Sequence, residues 1–370
     1  MDSTKLSLAV AFALFVLLNS ADAAVGAVKS LCCIDRVFTF GDSMTDAGNA
    51  CQVQGGNCGV IPYGETYFHK PNGRWCDGRL IVDFIAQAYG LPLPPPSMAG
   101  NTREYFLNGA NFAYAGSMAL NISTYKKVTG LDRAGPDHSL GIQLQSFKDL
   151  LPVISQGSSV TAVMTNSLFI VGEIGGVDYI GGLVSNKPTE EMKSWTPSVV
   201  AAIGSAVNDL INLGATTLIV PGNFAIGCAP WFLTLLKSNN SGDYDSQTGC
   251  LKKLNKLAVY HNTMLTQELA KQRLLHPLAN IVYADYYGAQ TQLILTSKLR
   301  DIPAPLYACC GAPGQPYNFS LNMQCGSKGS QVCPDPTKYI SWDGNHLTEA
   351  ANNVIANGIL YGPYAIPPLV

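Results

Sequence analysis

The chain has 370 residues, 47% of them hydrophobic, a composition that excludes extended disorder. Charged residues make up only 13%, and 23 Lys+Arg against 25 Asp+Glu leave a net charge of −2. No Lys/Arg run exceeds a pair, so the concentrated basic face of a nucleic-acid binder is missing.

In chain order, Lys5 is followed by an uncharged stretch over residues 6–20 and then by Ala21-Asp22-Ala23. A basic start, a short apolar core and a small-x-small ending predict a secretory signal over residues 1–23. The apolar run is shorter than the ~20 residues needed to span a bilayer, so stable membrane insertion is not expected. Residues 24–370 are expected to form one domain, secreted or vacuolar.

The first predicted strand is Arg36 to Phe40 (RVFTF), ending at Gly41-Asp42-Ser43. Further short β-branched or aromatic runs lie at 167–171, 216–220 and 281–284, each ending at Gly, Pro or Asp, as buried strands of a parallel sheet do. A residue run at 92–96 is Pro-rich and reads as a loop. Between the strands, residues 197–213 carry apolar side chains at helical spacing, with Thr196 as N-cap and Pro197 in the first turn. The uncharged stretch over 216–236 is broken by Pro221, Gly222, Gly227 and Pro230, which predicts a strand and a loop rather than a membrane span. Residues 251–274 form a longer, more polar helix, and His261 falls on its apolar stripe as a satisfied core histidine. A last helix covers 348–360. Strand–helix alternation implies a three-layer α/β/α fold with a central parallel sheet, and such sheets work at the carboxyl ends of their strands.

Two short motifs there carry chemistry. Ser43 follows the first strand directly, as a nucleophile near free backbone N–H groups would, although a helix N-cap is the commoner fate of such a serine. Asp343 and His346 are three residues apart, which lets the carboxylate curl back to the ring and fix its tautomer. Of the other histidines, only His138 has an acid beside it, Asp137, which is adjacent and poorly placed to orient it. No G-x-S-x-G elbow competes with Ser43.

Eleven cysteines suit an oxidising compartment, and their odd number leaves a thiol over. No C-x-x-C occurs, so a zinc site is not indicated. Cys228 is expected to pair with Cys250, and Cys309 or Cys310 with Cys325 or Cys333. Sequons at Asn121, Asn239 and Asn318 are candidate glycosylation sites.

Several blocks in order give the chain a resemblance to the plant-type GDSL esterase/lipases of the SGNH hydrolase superfamily. They are FTFGDSMTDAGN (38–49), GANFAYAG (109–116), FIVGEIGGVDY (169–179) and WDGNHLTEAA (342–351), with family-like stretches at 63–86, 220–230 and 333–339. The flavour is that of the branch containing acetylajmalan esterase, which deacetylates a plant alkaloid. The resemblance implies a flavodoxin-like SGNH fold and a serine esterase without metal or organic cofactor. It makes Ser43 the nucleophile, His346 the base and Asp343 its orienting acid, with backbone N–H groups of Ser43 and Gly116 in the oxyanion hole. The family's third donor is an Asn in G-x-N-D; here Gly175-Gly176-Val177-Asp178 puts Val177 in its place. One such donor is worth ~10²–10³ in turnover. The substrate implied is a small-molecule ester, an acetyl or other small acyl ester of a specialised metabolite. An acyltransferase using the same triad and a binding protein with a weakened site are the alternatives.

Overall fold

The computed structural model describes residues 34–55 and 57–369. The predicted signal over residues 1–23, with Cys32 and Cys33, lies outside the described residues.

Eight strands occur among the described residues: β1 (Arg36–Phe40), β2 (Gly109–Asn111), β3 (Ser167–Val171), β4 (Thr217–Pro221), β5 (Asn280–Ala284), β6 (Cys310–Gly311), β7 (Gln331–Val332) and β8 (Ala365–Ile366). Six of them form one sheet in the order β2-β1-β3-β4-β5-β8. The first five run parallel, and β8 pairs antiparallel with β5. β6 and β7 make a separate antiparallel ribbon.

Alternation along each strand sends side chains to two cores. Phe38, Phe169, Leu218 and Ile281 pack on one face with Phe147, Ile203 and Leu265 from the helices Leu140–Ile154, Thr189–Asn212 and Lys252–Leu275. Val37, Leu168, Ile219 and Val282 pack on the other with Ile85, Leu293 and Ile355 from Ile81–Ala88, Tyr286–Leu295 and Glu349–Leu360. Strands buried on both faces explain why their sequences are apolar runs rather than alternating ones. The result is the three-layer α/β/α arrangement expected.

Two expectations need correction. The helix placed at 197–213 begins at Thr189, so Thr196 is not its N-cap and Pro197 sits in its interior. Burial of Met192 and Trp195 in the core extends the helix past the proline, and Glu190 and Glu191 occupy its first turn, where the helix dipole favours acids. The stretch 216–236 contains a short helix, Pro230–Leu235, where only a loop was expected. No helix among the described residues is long and apolar enough to cross a membrane.

β1 is the switch point of the sheet: its neighbours β2 and β3 lie on opposite sides, and chain connections diverge there. Phe40 is level with Val171, so the segments leaving β1 and β3 emerge side by side. A crevice opens at such a point.

Candidate active site

Gly41 is pinned by Gln143, which accepts from the glycine N–H at 2.9 Å and donates to its carbonyl at 2.8 Å. Asp42 N–H donates to Glu173 O at 3.0 Å, tying the two emerging segments together. The Asp42 side chain accepts from Met44 N–H at 2.9 Å, and its carbonyl accepts from Thr45 and Asp46 N–H at 3.1 and 2.9 Å. Ser43 stands in the turn so made, half-buried. No helix begins there, and the Ser43 hydroxyl caps nothing, so the N-cap reading is excluded.

Asp46 fastens this turn to the next segment. Its carboxylate accepts from Gly48 and Asn49 N–H at 2.7 Å each, from Ala50 N–H at 3.1 Å and from Ala115 N–H at 2.9 Å. Burial outweighs these bonds and pushes its pKa up to about 6. Asn49 Nδ2 donates to the carbonyls of Asn111 and Ala113 at 2.8 Å. Gly116 is thereby carried next to Ser43, with φ +80, a conformation that favours glycine. Among the described residues nothing accepts from the backbone N–H of Ser43 or of Gly116. Both residues line one cavity, which therefore has two free backbone donors among its lining residues.

At the other end of the chain, Asp343 Oδ2 meets His346 Nδ1 at 2.7 Å, and Asp343 Oδ1 accepts from the backbone N–H of His346 at 2.8 Å and of Asn345 at 3.0 Å. Tyr63 donates its phenolic proton to Oδ2 at 2.8 Å. Burial raises the Asp343 carboxyl, but the His346 field and the hydrogen bonds of His346 and Asn345 outweigh it and hold the acid at about 2. The carboxylate stays ionised and keeps the ring orientation fixed. Trp75 stacks on the His346 ring with centroids 5.5 Å apart.

Disulfides brace the segment before this pair. Cys309 and Cys310 N–H donate to Ser341 O at 2.9 Å and Trp342 O at 2.7 Å, and the two cysteines pair with Cys333 and Cys325. Cys228 pairs with Cys250, as expected; Cys51–Cys58 was not foreseen, and Cys76 is free and buried.

A cavity of about 300 Å³ is lined by Ser43, Gly116, Val177 and apolar side chains that include Phe224 and Trp231, and from the Asp343–His346 segment by Asn345. Val177 opens the helix Val177–Val184 and is 7% exposed. It faces the cavity with methyl groups, so that wall offers no side-chain donor at its position. Its neighbour Asp178 turns away and accepts from Ala119 and Leu120 N–H at 2.8 and 3.1 Å. Beneath Ser43 lie Asp42 and Glu173: burial pushes Asp42 up, and burial with the Asp42 charge pushes Glu173 well above the usual carboxyl range.

The remaining histidines are engaged elsewhere. His261 is fully buried, 2.9 Å from the Tyr179 hydroxyl, and burial holds its imidazole down at about 3. His138 stacks on Tyr114 at 3.6 Å, and His276 contacts Asn208 at 2.9 Å. Among the described residues no histidine but His346 lies within ion-pair distance of a carboxylate.

Of the sequon asparagines, Asn121 is exposed at the start of the helix Ile122–Thr129 and Asn239 is exposed in a loop. Asn318 is half-buried, its Nδ2 donating to Ala308 O at 2.8 Å, so a glycan there requires that bond to open. Sequence reasoning did not single out Tyr63, Trp75 or Asp46. Asp46 lies in the block 38–49 and Tyr63 and Trp75 in the family-like stretch 63–86, which was their only signal.

The family model for GDSL-like lipase/acylhydrolase matches residues 37–359. Two GDSL esterase/lipases of Arabidopsis thaliana are 45% and 46% identical over 339 and 338 residues, 90% of this chain and 85% of each relative. Sinapine esterase of Brassica napus is 42% identical over 338 residues, 90% of this chain and 86% of its own. On that similarity, joined to the sheet and crevice above, the chain belongs to the GDSL-like lipase/acylhydrolase family and is a carboxylic ester hydrolase of the GDSL type.

Proposed function

We propose that Ser43 attacks the ester carbonyl and that His346 takes its proton through Nε2. The Asp343 carboxylate stabilises the imidazolium that results. The carbonyl oxygen becomes an oxyanion facing the free N–H groups of Ser43 and Gly116. His346 then returns the proton to the departing alcohol, leaving an acyl-enzyme on Ser43 that water hydrolyses by the same steps. The observation that carries this reading is the Asp343–His346 contact at 2.7 Å, on the one histidine so placed among the described residues.

The cavity of about 300 Å³ and its apolar walls fit a small acyl group. The substrate we propose is accordingly a small-acyl ester of a plant specialised metabolite; the name of a relative, sinapine esterase, supports an ester substrate. Eight disulfide-bonded cysteines and two exposed sequons support passage through the secretory pathway. The test is hydrolysis of naphthyl esters of increasing acyl length, with Ser43→Ala as control. Turnover highest for acetate and butyrate, and lost in the variant, is the expected result. Turnover that persists in Ser43→Ala contradicts the assignment.

A further inference from the structure

Ser43, Gly116 and Val177 line one cavity together with apolar side chains; the backbone N–H groups of Ser43 and Gly116 are free among the described residues, and Val177 adds no side-chain donor. One cation lines the same cavity. Arg133 lies in the loop between the helices Ile122–Thr129 and Leu140–Ile154 and lines the same cavity as Ser43, Gly116 and Val177. Its Nη2 donates to Gly116 O at 2.5 Å, and a Cβ placed on Gly116 would stand 3.2 Å from that nitrogen.

The Arg133 charge lowers the Asp178 carboxyl at a distance, but it is held in no ion pair among the described residues. Asp132 pairs with Lys126 at 2.7 Å, Asp137 accepts from Ser139 N–H at 2.9 Å, and the Asp178 carboxylate is turned to Ala119 and Leu120. Among the described residues Arg133 makes no salt bridge, and its other nitrogens take no hydrogen bond. A guanidinium stays charged at any working pH and has five N–H donors, so one bond to Gly116 leaves the others for a ligand. The competing role for an exposed arginine here is to clamp a loop through a carbonyl.

We propose that Arg133 is a further catalytic residue of this esterase, a fixed cation on the oxyanion side of the cavity that stabilises the tetrahedral intermediate where Val177 offers no hydrogen bond. The inference rests on the Ser43 reading. As Ser43 Oγ bonds to the carbonyl carbon, the C=O π pair moves onto oxygen and the serine proton goes to His346. Arg133 exchanges no proton and answers the charge on that oxygen until the pair returns, expelling the alcohol with the proton from His346. A buried oxyanion donor is worth ~10²–10³; Arg133 is exposed and screened, so about ten- to thirty-fold in kcat is expected.

The experiment measures kcat and KM for 1-naphthyl acetate, a neutral ester, with wild type, Arg133→Lys and Arg133→Met, each with Val177 and with Val177→Asn. Arg133→Met should lower kcat about ten- to thirty-fold with KM within about two-fold, and Arg133→Lys should keep most of the rate. In the Val177→Asn background the same change should cost less than about three-fold, because a neutral donor then serves the oxygen. An unchanged kcat in Arg133→Met, or a loss of equal size in both backgrounds, overturns the proposal, the second result marking a loop clamp. Should Val177→Asn not fold, salt decides: an Arg133→Met deficit that shrinks in about 1 M NaCl supports a charge effect, and a salt-independent deficit overturns it. Ser43→Ala runs alongside. Turnover surviving in it would remove the Ser43 reading itself, whereas a dead Ser43→Ala with a fully active Arg133→Met removes this inference alone.

Discussion

The phenol of Tyr63 donates to Asp343 Oδ2 at 2.8 Å, the same oxygen that meets His346 Nδ1 at 2.7 Å. Tyr63 is itself held edge-on between Trp75 and Trp342, with ring centroids 5.9 and 6.1 Å away. A buried aromatic cluster therefore sets the direction of the carboxylate, and the carboxylate sets that of the ring. Tyr63→Phe keeps the packing and removes the donor. Hydrogen bonds to charged groups contribute ~1.5–3 kcal/mol, so kcat/KM should fall about ten-fold. Steady-state kinetics on a naphthyl ester checks this, and an unchanged kcat/KM would show that His346 alone aligns the acid.

Val177 lines the cavity with Ser43. Val177→Asn puts an amide donor on a cavity surface that has none at that position. Turnover of naphthyl acetate should rise, by up to the ~10²-fold that one donor contributes. On the native substrate the same change should lower activity if the valine shapes the pocket. No change on either substrate would mean that position 177 does not face the developing charge.

His261 gives a stability prediction with a definite sign. Its folded pKa, about 3, lies below the ordinary value of 6.5, so between those values the unfolded chain binds the proton and the folded one does not. Stability therefore falls as pH drops below about 6.5, by about 2 kcal/mol at pH 5 from this group alone. His261→Asn removes that titration. The variant should be less stable than wild type at pH 7.5 through lost packing, and the gap should narrow by about 2 kcal/mol at pH 5. Urea unfolding of both proteins at the two pH values measures it; an equal gap would show that His261 is not held neutral by the fold.

The residues legible in the sequence were those whose partners are near in the chain or whose pattern is local. β1, β3, β4 and β5 are short apolar runs and lie within a residue of where the pattern put them. β2 and β8 are three and two residues long and are strands only because a neighbour pairs with them. Asp343 and His346 could be joined on their spacing alone. Tyr63 reaches Asp343 across 280 positions and Asp46 reaches Ala115 across 69, distances over which no local pattern carries information. Pro197 misplaced a helix start because the local penalty for proline was outvoted by the burial of Met192 and Trp195.

The central claim, that Ser43 is a nucleophile activated by His346, is tested most directly by covalent capture. Wild type, Ser43→Ala and His346→Ala are incubated with a fluorophosphonate probe, and the modified peptide is located by mass spectrometry. One probe per chain on the peptide carrying Ser43, none on Ser43→Ala, and labelling slowed by ~10³-fold or more in His346→Ala is the predicted result. Labelling at another residue, or at an undiminished rate in His346→Ala, would contradict it.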